Sequence, residues 1–197
     1  MKFIRNFLII FIYLITCLIV VNYLPKTFEI YKNIFFSKNT LPKINLITHE
    51  NKKIKNIDLI KKPAIFFFGF TNCPDICPLT LYKISEAVKQ LNVENKLKIF
   101  FITLDPDRDG VNELKKYLKY YDTNITGITG KIENIKIISN YMDIKFVKRG
   151  NKNDYTIDHT ASALLYDKNL NLFDKIYYNE DIEDSKKKIN KLINFSF

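Results

Sequence analysis

Tryptophan is absent from this 197-residue chain, and cysteine, histidine and methionine number only three, two and two. So few cysteines exclude a disulfide-stapled scaffold and confine any thiol chemistry to a handful of atoms. Five glycines and six prolines exclude collagen-like and low-complexity classes. A composition 47% hydrophobic and 26% charged instead suits a packed core, and the length allows one domain with an appendage. Acidic residues are in the minority, leaving a net charge of +10. The lysines are nonetheless spread along the chain. Their densest run, Lys186 to Lys188 with Lys191, falls in a late amphipathic segment. That pattern reads as a solvated helix face, so no nucleic-acid partner is expected.

Charge is missing altogether from residues 7–24, "FLIIFIYLITCLIVVNYL". As a helix this run reaches about 27 Å, close to the thickness of a bilayer core. It ends at Pro25 without the small residues of a signal-peptidase site, which predicts an uncleaved anchor. Cys17, within the run, reads as an inert membrane-facing residue. Lys2 and Arg5 favour an inside amino terminus, with the rest of the chain outside. The expected organisation is an anchor at 1–24, a stalk at 25–42 and a domain at 43–197.

Within the domain, "KINLIT" and "KKIKNIDL" flank a turn and predict a hairpin. "AIFFFGF" (64–70) and "KLKIFFITL" (96–104) are apolar at consecutive positions, as in strands buried on both faces. Leu81, Ile84, Val88 and Leu91 recur at helical spacing. "VNELKKYLKYY", "KIENIKIISNYM" and "DIEDSKKKINKLINF" read as further helices. "TASALLYD" and "LNLFDKIYY" read as two late antiparallel strands. This order, β-α-β-α followed by two antiparallel strands and a helix, predicts an α/β, thioredoxin-like fold preceded by an N-terminal transmembrane helix.

"TNCPDICPLT" (71–80) follows the first buried strand. Cys73 and Cys77 each precede a proline, which biases both away from helical backbone. Both are therefore expected in the loop that opens the next helix, where its positive pole favours thiolate. A three-residue gap is wider than the usual C-x-x-C of dithiol oxidoreductases. It leaves room for either a disulfide or a metal between the sulfurs. Of the two histidines, His49 sits in the predicted hairpin turn and needs no function. His159 precedes a late strand that should lie beside the cysteine-bearing one, within reach of the thiols. Two thiolates and an imidazole make a soft three-ligand set, which favours copper over four-coordinate zinc. In "LDPDRDG" (104–110), Asp105 is placed to support a ligand from behind or to meet a partner. Asp107 and Asp109 are placed to begin the next helix.

These pieces resemble the SCO/SenC family of copper proteins that assist cytochrome c oxidase assembly. The resemblance rests on "FFFGFTNCPDICP", "FITLDPDRD", "GITG" and "DYTIDH", in the family's order, over most of residues 43–195. Small departures are Gly110 where threonine is common and Thr160 where serine is common. The resemblance implies Cys73, Cys77 and His159 as ligands of a copper ion, Cu(I) or Cu(II). It implies delivery to the dinuclear copper A centre of cytochrome c oxidase subunit II, with the metal received from a copper donor protein. The expected location is a bacterial inner membrane, single-pass, with the domain in the periplasm; the alternative is the mitochondrial inner membrane facing the intermembrane space. A second function stays open, in which Cys73 and Cys77 reduce the target's cysteines before metal insertion.

Overall fold

The computed structural model describes residues 41–196 apart from 55, 60, 122, 152 and 153, together with Asn6 and Thr16. The predicted span at 7–24, Thr16 apart, lies outside the described residues, as does Cys17. Among the described residues no helix is long and apolar enough to cross a membrane. The chain divides after Thr40, and the unit that begins at Leu41 carries the features below.

The elements, in chain order, are β1 (Leu46–Thr48), β2 (Lys53–Ile54), a 3₁₀ turn (Asn56–Leu59), β3 (Ala64–Gly69), α1 (Ile76–Leu91), β4 (Lys98–Thr103), α2 (Val111–Leu118), β5 (Ile125–Gly130), α3 (Ile132–Tyr141), β6 (Phe146–Asn151), β7 (Asp154–His159), β8 (Ser162–Tyr166), β9 (Leu172–Tyr177) and α4 (Ile182–Ser196). Seven strands form one sheet in the order β2-β1-β5-β4-β3-β8-β9. β3, β4 and β5 are parallel, as the α-helical crossovers between them require. β8 runs antiparallel to β3, and β9 to β8. A mixed sheet with helical crossovers is the α/β architecture expected from the sequence. β6 and β7 stand apart as a two-stranded hairpin.

The centre of the sheet explains why "AIFFFGF" is apolar at every position. Ile65, Phe66, Phe67 and Phe68 have no exposed surface, and β4 beside them buries Phe101 and Ile102 almost as completely. Each fully buried large side chain is worth about 1.5–3 kcal/mol, so these two strands supply much of the stability of the described core. Phe66 stacks on Phe100 at 5.1 Å, and Phe67 lies 6.1 Å from Phe101. α1 turns Leu81, Ile84, Ala87 and Val88 inward at helical spacing and packs against α4. It stops at Asn92, whose left-handed backbone (φ 52) returns an N–H to Lys89. α2 and α3 both pack against β5.

Three local readings need correction. α1 begins at Ile76, so Cys77 lies inside its first turn rather than in the loop before it. The bias imposed by a following proline yields here because Pro78's missing N–H is one that a first turn leaves unpaired anyway. "NIDL" forms a 3₁₀ turn instead of extending the hairpin. His49 is half-buried, not idle: its Nδ1 accepts the Gly127 N–H at 3.0 Å and fastens the end of β1 to β5.

Candidate metal centre

Parallel strands bring the loops after β3 and β4 to one edge of the sheet. Antiparallel β8 brings its start to the same edge. Cys73 lies in the first loop, Cys77 in the first turn of α1, and His159 at the end of β7. The sequence-predicted trio is therefore assembled by topology.

His159 Nε2 stands 3.7 Å from Cys77 Sγ. Its Nδ1 lies 2.9 Å from the Thr160 carbonyl oxygen. A carbonyl only accepts, so Nδ1 carries the proton and Nε2 turns a lone pair towards the sulfur. The 3.7 Å separation is an ordinary sulfur–nitrogen contact, and it sets the two atoms side by side as prospective ligands. Phe70 meets the imidazole edge-on at 6.1 Å and limits its swing.

The two thiols are inequivalent. Cys73 is half-exposed, whereas Cys77 has no exposed surface. The N-cap residue Asp75 makes no side-chain capping bond; instead the Cys77 N–H points to Cys73 Sγ at 3.4 Å. The hydrogen bond from the Cys77 thiol, then those from the Cys77 and Asp75 backbone, pull the Cys73 thiol down to about 4 against the desolvation that opposes them. Donation to Cys73 and burial push the Cys77 thiol far up. Cys73 is thus a thiolate, with Cys77 as its protonated donor. The two cysteines are not joined.

Closeness here depends on Gly69. A Cβ at that position would lie 2.8 Å from Cys77 Sγ and 2.9 Å from Phe101 Cε2. Only a residue without a side chain lets the buried thiol approach the end of β3.

The acidic loop behaves differently from the reading as helix starters. Asp109 is fully buried and accepts from the Thr71 N–H at 2.9 Å, from the Thr71 hydroxyl at 2.5 Å and from the Thr103 hydroxyl at 2.6 Å. Gly110 is the residue that precedes α2, and it makes no side-chain cap. Asp109 thus ties the cysteine loop to the end of β4. Burial raises its carboxyl against those three bonds. Asp105, also fully buried, pairs with Arg108 and accepts the Tyr155 hydroxyl at 2.6 Å. Asp107 stays on the surface, paired with Lys148 at 2.8 Å.

Gly69, Thr71, Arg108 and Tyr155 escaped the sequence reading. The alternation of Tyr155, Ile157 and His159 in "DYTIDH" was the available signal for Tyr155. Among the described residues no three cysteine, histidine, aspartate and glutamate side chains already close as a finished metal cluster. Cys77 and His159 are in contact, and Cys73 joins them through the hydrogen bonds above. That donor set, two sulfurs and one imidazole nitrogen, suits a soft ion of low coordination number.

Comparison with known proteins gives concordant matches. The family described as SCO1/SenC matches residues 36–194. The mitochondrial "Protein SCO1 homolog 1" of Arabidopsis thaliana is 32% identical over 143 residues, 71% of this chain and 42% of that protein. The chain thus spans less than half the length of that relative. Among solved structures, Bradyrhizobium japonicum ScoI with copper bound superposes with a TM-score of 0.70 at 29% identity, covering 76% of this chain and 96% of that one. Yeast Sco1 with copper bound gives 0.69 at 31% identity, covering 77% and 86%.

Proposed function

The chain belongs to the SCO1/SenC family, and we propose that it binds a copper ion through Cys73, Cys77 and His159 and delivers it to the dinuclear copper A centre of cytochrome c oxidase subunit II. The observation that carries this reading is the Nε2 lone pair of His159 facing Cys77 Sγ at 3.7 Å, with the tautomer set by Thr160. Copper, as Cu(I) or Cu(II), is cargo. Cys73 meets it first, because it is half-exposed and already a thiolate. Cys77 then gives up its proton as the second sulfur closes, and His159 supplies nitrogen without needing to lose one. Release to a partner reverses the order: the exposed Cys73 is the ligand an incoming thiolate can displace.

Residues 1–24 serve as a membrane anchor and 25–42 as a stalk, with the domain at 43–197 in the periplasm of a bacterium. The mitochondrial inner membrane, facing the intermembrane space, is the alternative. The uncharged run at 7–24 supports this. A separate copper donor protein loads the site. Anaerobic titration of the purified full-length chain with Cu(I), monitored by thiolate-to-metal absorption, tests the reading. One equivalent should bind in wild type, and a many-fold loss of affinity should follow Cys77→Ser. Unchanged affinity in that variant overturns the ligand set.

A second reading is favoured by the asymmetry of the thiols: a low-pKa exposed cysteine beside a buried protonated one also suits thiol–disulfide exchange. In it the Cys73 thiolate attacks a target disulfide and forms a mixed disulfide, releasing one target thiolate. Cys77, losing its proton, then attacks the Cys73 sulfur. The target leaves with both cysteines reduced, and Cys73 and Cys77 leave as the disulfide.

A further inference from the structure

The hairpin that carries His159 has little core of its own. Of β6 and β7, only Ile157 is buried. A two-stranded hairpin is marginal by itself, so its placement is set by whatever attaches it to the rest of the domain. Its base closes on itself, Thr160 N–H to Lys145 carbonyl at 3.0 Å and Lys145 N–H to Thr160 hydroxyl at 3.2 Å. Neither bond anchors it to the main sheet.

Side chains two apart on a strand share a face, so Tyr155, Ile157 and His159 project together. Ile157 enters the core, and His159 meets Cys77. Tyr155 gives its hydroxyl to Asp105 at 2.6 Å, and its carbonyl accepts from Arg108 Nη1 at 3.1 Å. Its ring lies 3.8 Å beneath the Arg108 guanidinium carbon and 4.4 Å from Lys148 Nζ. Asp105 and Arg108 belong to the loop 104–110. The other end of that loop holds the cysteine segment through Asp109 and Thr71. One short loop therefore grips both halves of the site, the thiols on one side and the histidine hairpin on the other.

We propose that Tyr155, Asp105 and Arg108 are positioning residues that set the distance between His159 and the thiols, and so tune copper affinity without touching the metal. The inference rests on the reading of His159 as a copper ligand. Tyr155 is the point to test, since Asp105 is buried and its loss threatens folding. In the full-length chain, Tyr155→Ala should weaken Cu(I) binding about tenfold, measured anaerobically by competition with a chromogenic chelator. Tyr155→Phe, which keeps the ring under Arg108 and removes only the bond to Asp105, should lose less. In a His159→Ala background neither change should weaken binding further. In the metal-free chain, hydrogen exchange should quicken at 154–159 while 64–69 and 98–103 keep their protection.

An equal loss from Tyr155→Ala with and without His159, or no loss in its presence, overturns the proposal. Should Tyr155→Ala fail to fold, Tyr155→Phe completes the same cycle. If His159→Ala alone leaves copper affinity intact, the ligand reading falls and this inference with it. That result is read from a variant in which Tyr155 is untouched, so the two failures are distinguishable.

Discussion

Cys73 Sγ accepts the backbone N–H of Cys77 at 3.4 Å, taking the place that a serine or aspartate oxygen usually fills at the start of a helix. The two cysteines are therefore linked twice, through this N–H and through the Cys77 thiol. Spacing explains it. The capped amide lies four positions after the sulfur, so the C-x-x-x-C gap lets one cysteine cap the turn that contains the other. Charge follows from that geometry, because a sulfur receiving several N–H and S–H donors is stabilised as thiolate.

Alkylation should read this asymmetry directly. Iodoacetamide should modify Cys73 at pH 5–6 at nearly its neutral-pH rate, whereas Cys77, buried and protonated, stays unlabelled in the folded chain. Peptide mass spectrometry locates the label. A Cys73 rate that falls tenfold per pH unit below pH 8 would show an ordinary thiol and refute the assignment.

The same shift has a stability consequence of definite sign. Cys73 falls from an ordinary 9.0 to about 4 on folding. Between those values the unfolded chain binds a proton that the folded chain does not, so stability rises with pH across that window. The contribution is complete above about pH 9 and is lost as pH falls through about 4. The metal-free wild type should therefore gain more Tm than Cys73→Ser between pH 5 and pH 8. Equal gains would leave the thiolate without energetic weight. By the same bookkeeping, metal binding near neutral pH should release about one thiol proton, from Cys77 alone, measurable by calorimetry in buffers of different ionisation enthalpy.

Gly69→Ala should damage the site from beneath. The added methyl carbon meets Cys77 Sγ at 2.8 Å and Phe101 Cε2 at 2.9 Å, and neither can retreat, because both are fully buried. Overpacking of this kind costs about 1–3 kcal/mol. Urea denaturation should show that loss, and copper affinity should fall with it as the Cys77 sulfur is displaced. A variant of wild-type stability would mean that the end of β3 is softer than its burial implies.

Much of this was legible in the sequence where apolar burial decided the outcome. β3 and β4 declare themselves through uninterrupted apolar runs, because parallel central strands are covered on both faces. The cysteine loop and His159 could be placed from strand order alone. The hairpin β6–β7 could not. "FVKRGN" and "NDYTIDH" are mostly polar, and what holds them is Tyr155 against Asp105 and Arg108, contacts that leave no periodic apolar trace. Asp109 misled for a related reason. An aspartate just before a helix is the pattern of a cap, and only the fold reveals Thr71 and Thr103 around it.

His159→Ala separates the two functions. Exchange between thiols depends on thiolate access and sulfur pKa, and the largest influence lowering the Cys73 value is the Cys77 hydrogen bond. The reduction potential of the Cys73–Cys77 pair should therefore move little in this variant. Copper affinity should fall many-fold, since two sulfurs remain without the nitrogen that completes the set, and oxidase assembly in a complemented strain should fail. That combination supports metal delivery as the role of the site. Persistent copper binding with impaired disulfide exchange would instead make His159 a tuner of thiol chemistry, through its contact with Cys77.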